Sequence, residues 1–230
     1  MKEVIVNSAF FGAVISLAAY YIGMQVKRKF KMALANPLLI AIIITIGVLL
    51  VFKIDYQDYY ASAKYLNWLL TPATVCLAIP LYQQLQMLRK NMKAILLGIL
   101  VGVLASLSCV LVMALIFGLD HAQYVTLLPK SVTTAIGMGV AEELGGYPAL
   151  AAVVIILTGV IGNIFAEGFL RLLRVTESVA RGVAIGTSSH ALGTTKALEL
   201  GETEGAMSSL SLVVAGLMTV VGASVFAQFM

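Results

Sequence analysis

Long apolar runs separated by short charged stretches set the pattern of this chain. A helix needs about 20 apolar residues to cross the roughly 30 Å hydrocarbon core of a bilayer. Segment one, Val4 to Met24, has that length and is followed by the basic cluster Lys27, Arg28, Lys29 and Lys31. It lacks a clear small-residue cleavage site, so it is read as a retained helix rather than a leader. Segment two runs from Pro37 to about Phe52, with proline at a helix start, where its missing N–H costs little. A Tyr-rich loop of mixed charge to about Lys64 comes next. Segment three, about Leu66 to Leu85, is interrupted by Pro72 and Pro80, and segment four, about Ala94 to Leu119, is the longest apolar run. Segments six (Pro148 to Leu170) and eight (Ala206 to Phe229) are again strongly apolar. Segments five (Val125 to Leu144) and seven (Gly182 to Leu198) are weaker, diluted by hydroxyls, glycines, Lys130 and His190. The pattern predicts an all-α, polytopic membrane protein of about seven or eight transmembrane segments, forming a single integral membrane domain over residues 1–230.

The basic residues give an orientation. Lys and Arg in short loops favour the cytoplasm, so Lys27–Lys31 is placed inside, Arg89, Lys90 and Lys93 inside, and Asp120-His121 outside. If segment five crossed fully, Arg171, Arg174 and Arg181 would fall outside, against the rule. The expectation is therefore that segment five enters and returns, with Gly137 and Gly139 as candidates for the turn. Non-helical backbone at that depth is tolerated only where protein or a water-filled cavity satisfies it. Asn36-Pro37-Leu38-Leu39 and Tyr147-Pro148-Ala149-Leu150 each open a segment that precedes a broken one and then a long apolar one. This predicts an inverted repeat with broken or re-entrant helices, a plan used by secondary transporters.

Composition reinforces the class. The 230 residues are 60% hydrophobic and only 11% charged, and the mean hydropathy is +0.99. Soluble domains carry about 25% charged residues, so the lipid bilayer is the expected solvent. The net charge of +4 resides in the short loops and is no signal for nucleic acid. Cys76 and Cys109 have no metal-ligand spacing and are expected to be packing residues. No metal and no cofactor is predicted.

Two stretches carry candidate chemistry. In Leu128-Pro129-Lys130-Ser131-Val132-Thr133-Thr134, Pro129 breaks the helix, and Ser131, Thr133 and Thr134 offer hydroxyls. A lysine within a membrane segment costs about 2.5–3.5 kcal/mol on insertion scales and is usually functional; beside a helix N-terminus it would attract a carboxylate or phosphate. The competing reading has Lys130 near the interface, snorkelling to water. The second stretch holds Ser188, Ser189, His190, Gly193 and Thr194. Small and hydroxyl residues serve close helix packing, whereas an intramembrane imidazole can pass a proton or contact an anion; both readings stay open. No G-x-S-x-G elbow and no orienting Asp accompanies these serines, so no enzyme is predicted. Glu167 is expected to pair with Arg171, Glu142 and Glu143 to form a solvated turn, and Glu199, Glu202 and Glu204 to lie in an exposed loop with helix-start character before Ala206.

Asn36-Pro37-Leu38-Leu39, the 128–134 run, Ser189-His190-Ala191-Leu192-Gly193-Thr194 and Glu204-Gly205-Ala206-Met207-Ser208-Ser209-Leu210, in this order over nearly the whole chain, resemble the LrgB/CidB family. The resemblance implies a multi-pass protein of the bacterial inner membrane acting with a small holin-like partner of the LrgA/CidA type. It implies one of two roles: transport of small carboxylates such as pyruvate or glycolate, or antiholin-like regulation of murein hydrolase activity and autolysis without transport. Under the first, Lys130, Ser131, Thr133, Thr134, Ser188, Ser189, His190, Gly193 and Thr194 would form the substrate site. Homo-oligomers are compatible with either role. Many relatives carry proline where Ala135 stands, which leaves the break point of segment five to the structure.

Overall fold

Asn36 shows how sequence starts an element in this protein. Its side-chain oxygen accepts from the N–H groups of Leu38 at 2.9 Å and Leu39 at 3.2 Å, capping a helix whose next residue is proline. The computed structural model describes residues 8, 10–30, 36–69, 72, 75–76 and 78–230. Residues 4–7 and 9 of segment one, Lys31 of the basic cluster, and residues 70–71, 73–74 and 77 of segment three lie outside the described residues. The chain divides into two compact units, Met1–Cys76 and Leu77–Met230.

In the first unit, α1 (Phe11–Phe30) packs on α2 (Pro37–Val51) and α3 (Tyr56–Trp68). α1 continues through Lys27, Arg28 and Lys29, so the helix outlasts the apolar run. The expected Tyr-rich loop is corrected: Tyr56–Trp68 is helical. Its Ser62 hydroxyl accepts from the Gly12 N–H at 2.7 Å, and Tyr59 bonds Ser16, which pins α3 to α1 without a long apolar face.

The second unit comprises α4 (Ala78–Gln83), α5 (Leu85–Phe117), α6 (His121–Leu127), α7 (Thr134–Glu143), α8 (Pro148–Leu172), α9 (Ser178–Leu200) and α10 (Glu202–Phe226), closed by a 3-10 turn at Ala227–Phe229. Among the described residues α5, α8 and α10 are long and apolar enough to cross a membrane, and α2 is a shorter apolar helix. At 1.5 Å per residue the 33-residue α5 spans about 50 Å, so its basic first turns reach beyond a hydrocarbon core. Gly118, at φ 63, ends it in the left-handed conformation that glycine adopts without strain. Apolar side chains face outward, Ile116 at 69% and Leu217 at 66% exposure, while Ser208 and Thr194 are fully buried. Lipid is the solvent that makes this distribution stable.

Two elements enter this bundle and turn back. Asp120 caps α6 through a capping box with Gln123. The chain then leaves the helix over 128–133, re-forms it as α7, and returns: the Thr126 hydroxyl accepts from the Tyr147 N–H at 2.8 Å, and Gly146 N–H bonds Ala141. The turn therefore lies at Pro129–Thr133, not at Gly137 and Gly139, which sit inside α7. Pro129 has no N–H to continue α6, while Gly137 lets α7 close against the Pro129 carbonyl and Ile155. Ala135 stands in the first turn of α7, where a proline is tolerated because early N–H groups have no intrahelical partner.

α9 makes the second reversal. His190 has φ 42 and ψ −140, outside helical values. Residues on either side of it meet: Gly193 lies against Ile185, and Gly186 and Thr194 both contact Ser208 of α10. Such contacts across eight residues need a hairpin, since a straight helix would separate them by about 12 Å. The first half runs parallel to α5, Val183 beside Gly98 and Thr187 beside Gly102, and parallel to α10, Gly182 on Glu204 and Gly186 on Ser208. The two basic ends, Arg89–Lys93 and Arg171–Arg181, consequently lie at the same end of this unit.

Candidate functional site

The turn at Pro129–Thr133 places Lys130 beside α5. Its Nζ donates to the Ser131 hydroxyl at 3.1 Å, and Ser131 and Ser106 face each other at 3.4 Å. Ser106 precedes the last residue of α5 by eleven residues, about 17 Å of helix. Lys130 is thus held about half a bilayer thickness from that helix end, deeper than an interface-snorkelling lysine needs to be. Among the described residues Lys130 makes no ion pair.

A cavity of about 1350 Å³ joins this group to the rest of the unit. It extends along α5 from Met87, Lys90 and Asn91 to Ser106 and Cys109. Its other walls are Lys130 and Ser131, the first half of α9 with Thr187 and Ser188, and the start of that helix with Glu177 and Ser178. Lys90 and Glu177 offset each other at the basic end, so the positive character that suits a small anion lies at the deep end, at Lys130.

The His190 turn packs beside the cavity. Its Nε2 lies 2.9 Å from the Ile155 carbonyl. A carbonyl only accepts, so this nitrogen carries the proton. Gly159 and Gly162 of α8 have no side chain where the imidazole and Ser189 sit. Thr194 donates to the His190 carbonyl at 2.9 Å, so the 2.8 Å bond between Thr194 and Ser208 has Ser208 as donor. Ser188 donates to Ala184 at 2.8 Å, which makes Ser189 the donor in the 3.1 Å Ser188–Ser189 bond. These bonds hold the reversal; each hydroxyl hydrogen is already used.

A second buried polar feature closes the base of the hairpin. Arg181 of α9 meets Glu204 of α10 at 3.3 Å, with the Glu204 side chain only 7% exposed. Glu204 was expected in an exposed loop with helix-start character; α10 does begin at Glu202, directly after Gly201, but it carries Glu204 inward. Glu167 does pair with Arg171, at 3.1 Å, and also with Lys196, at 3.3 Å. Asn163 donates to the Leu192 carbonyl and to Thr195.

The LrgB-like family model matches residues 16–229. The chain belongs to the LrgB-like family. It is 38% identical over 221 residues, 96% of each chain, to the antiholin-like protein LrgB of Bacillus cereus (strain B4264), and equally to that of Bacillus anthracis (strain CDC 684 / NRRL 3495). It is 38% identical over 198 residues, 86% of each chain, to the protein YxaC of Bacillus subtilis (strain 168). No solved structure matches it. This LrgB-like chain is therefore a multi-pass bacterial membrane protein; among the described residues no group of three or more His, Cys, Asp or Glu is placed to hold a metal.

Of the nine residues singled out in the sequence of this LrgB-like protein, the cavity brings together Lys130, Ser131 and Ser188. Thr133 and Thr134 stand at the start of α7, and Ser189, His190, Gly193 and Thr194 form the inner side of the α9 reversal, outside the cavity wall. Sequence reasoning missed Ser106 and Thr187. A signal existed: Gly98, Gly102 and Ser106 recur every four residues on one face of α5, the spacing that lets a helix approach closely. Cys76 and Cys109, expected as packing residues, are both free and exposed, and Cys109 lines the cavity.

Proposed function

We propose that this chain serves an antiholin-like role at the bacterial membrane, and that its molecular act is to bind and pass small carboxylates, of the size of pyruvate or glycolate, at Lys130. The printed names of the relatives favour the first half of this reading. The observation that carries the second half is Lys130 itself: an ammonium without an ion-pair partner, on a broken segment, at the deep end of a cavity. Burying a charge that deep is costly unless a counter-charge arrives. The basic ends at the cavity's other extremity support access from the cytoplasm.

A complete molecule of seven or eight passes built as an inverted repeat agrees with this reading. The Pro37 and Pro148 helix starts and the reversal in α9 support it, because a broken element after each such start is what an inverted repeat of this kind contains. A small holin-like partner of the LrgA/CidA type, and homo-oligomers, belong to the same proposal.

Uptake of labelled pyruvate and glycolate into proteoliposomes, with and without such a partner, tests the carrier. Uptake by the wild type that falls at least about tenfold in Lys130→Met supports it, a loss equivalent to about 1.4 kcal/mol. No uptake in either setting removes the carrier and leaves a regulator that acts through partner contacts. That second reading predicts an autolysis phenotype unchanged by Lys130→Ala.

A further inference from the structure

Most hydrogen-bonded hydroxyls of α9 and α10 follow one habit. Ser188, Thr194, Ser209 and Ser211 each donate to the carbonyl one turn back, at 2.7 to 2.9 Å. In a helix shielded from water this is the cheapest way to satisfy an O–H. Thr187 breaks the habit. Its Oγ1 is buried and has no hydrogen-bond partner among the described residues, yet the residue is part of the cavity wall. An unpaired buried hydroxyl is costly, and a threonine in a helix ordinarily relieves it on the carbonyl one turn back.

The placement of Thr187 is specific. Its methyl group packs where Gly102 of α5 lacks a side chain. One turn further along the same face of α5 is Ser106, which meets Ser131 and through it Lys130. Residues four apart on a helix face lie about 6 Å apart, so Thr187 and the Lys130–Ser131 pair stand close enough on the cavity wall for a single carboxylate group to reach both. Ser188 cannot take this part, because its hydrogen is given to Ala184. A rotation of Thr187 about χ1 by about 120° carries its hydroxyl to the place its methyl holds beside Gly102 and the methyl on to the third staggered position.

We infer that Thr187 is a solute ligand of this cavity: its hydroxyl is held in reserve to donate to the oxygen of a carboxylate whose charge is met by Lys130. The inference rests on the carrier reading and names a specificity-determining contact for it. A helix hydroxyl kept from its own backbone is strained toward a missing acceptor, and the solute supplies that acceptor.

The test uses Thr187→Val, which keeps the shape and removes the hydroxyl, and Thr187→Ser, which keeps the hydroxyl. Each is reconstituted as the full chain and measured for labelled pyruvate uptake and for melting in detergent. The expected result is a half-saturation concentration raised about tenfold in Thr187→Val, near wild type in Thr187→Ser, with a melting temperature for Thr187→Val no lower than wild type. A Val variant with wild-type uptake overturns the inference while the Lys130→Met result still decides the carrier. A Val variant that melts lower or fails to fold gives the hydroxyl a packing role and also overturns it. Absence of uptake by the wild type removes both together.

Discussion

His190 is the residue on which the second returning element turns. A positive φ in a residue with a Cβ costs about 1–3 kcal/mol and persists only where its surroundings enforce it. The enforcement is visible: Nε2–H to the Ile155 carbonyl, Thr194 on its own carbonyl, and the space left by Gly159 and Gly162. This separates two substitutions that would otherwise be equivalent. His190→Ala loses the imidazole bond and keeps the strain; His190→Gly loses the bond and relieves it. Melting in detergent should fall for both, by roughly 1–3 kcal/mol for Ala, and the Gly variant should melt above the Ala variant. A Gly variant that melts lower would mean that residue 190 does not hold the left-handed conformation.

At the scale of elements, the two segments that sequence marks as weak are the two that return. Segment five was legible because Pro129 removes a donor and because the Arg171–Arg181 cluster needed an even number of remaining crossings. Its turn was misplaced at Gly137 and Gly139 because glycine reads equally as a turn or as a close contact, and here Gly137 is a contact with Ile155. The reversal in α9 was legible only as a cluster of small and polar residues. No proline or glycine stands at position 190, so local propensity gives no hint; the fold of that segment is imposed by α8 and α10. Glu204 was misread for a related reason, since its burial depends on Arg181 from another element. The returning geometry makes a prediction of its own. Cysteines placed by Lys93→Cys and Arg174→Cys should be modified by a membrane-impermeant maleimide from the same side of the membrane. Modification from opposite sides would mean that the 121–147 segment crosses.

At the scale of the whole Leu77–Met230 unit, hydroxyls and the Arg181–Glu204 pair are buried, apolar side chains face outward, and Lys130 stands at the deep end of the cavity. α5 and α9 supply the long walls of the cavity, and the turn at 128–133 supplies Lys130 at its deep end. Cys109 is a native reporter of that place: free, exposed, and three residues beyond Ser106 on α5. With Cys76→Ala removing the other thiol, the rate at which a small water-borne methanethiosulfonate reagent modifies Cys109 measures both water in the cavity and occupancy beside Lys130. Modification of Cys109 that slows when pyruvate is present, and no longer slows in Lys130→Met, is the predicted result. A Cys109 that the reagent cannot reach, or that reacts at one rate with and without pyruvate, would contradict a carboxylate site at Lys130.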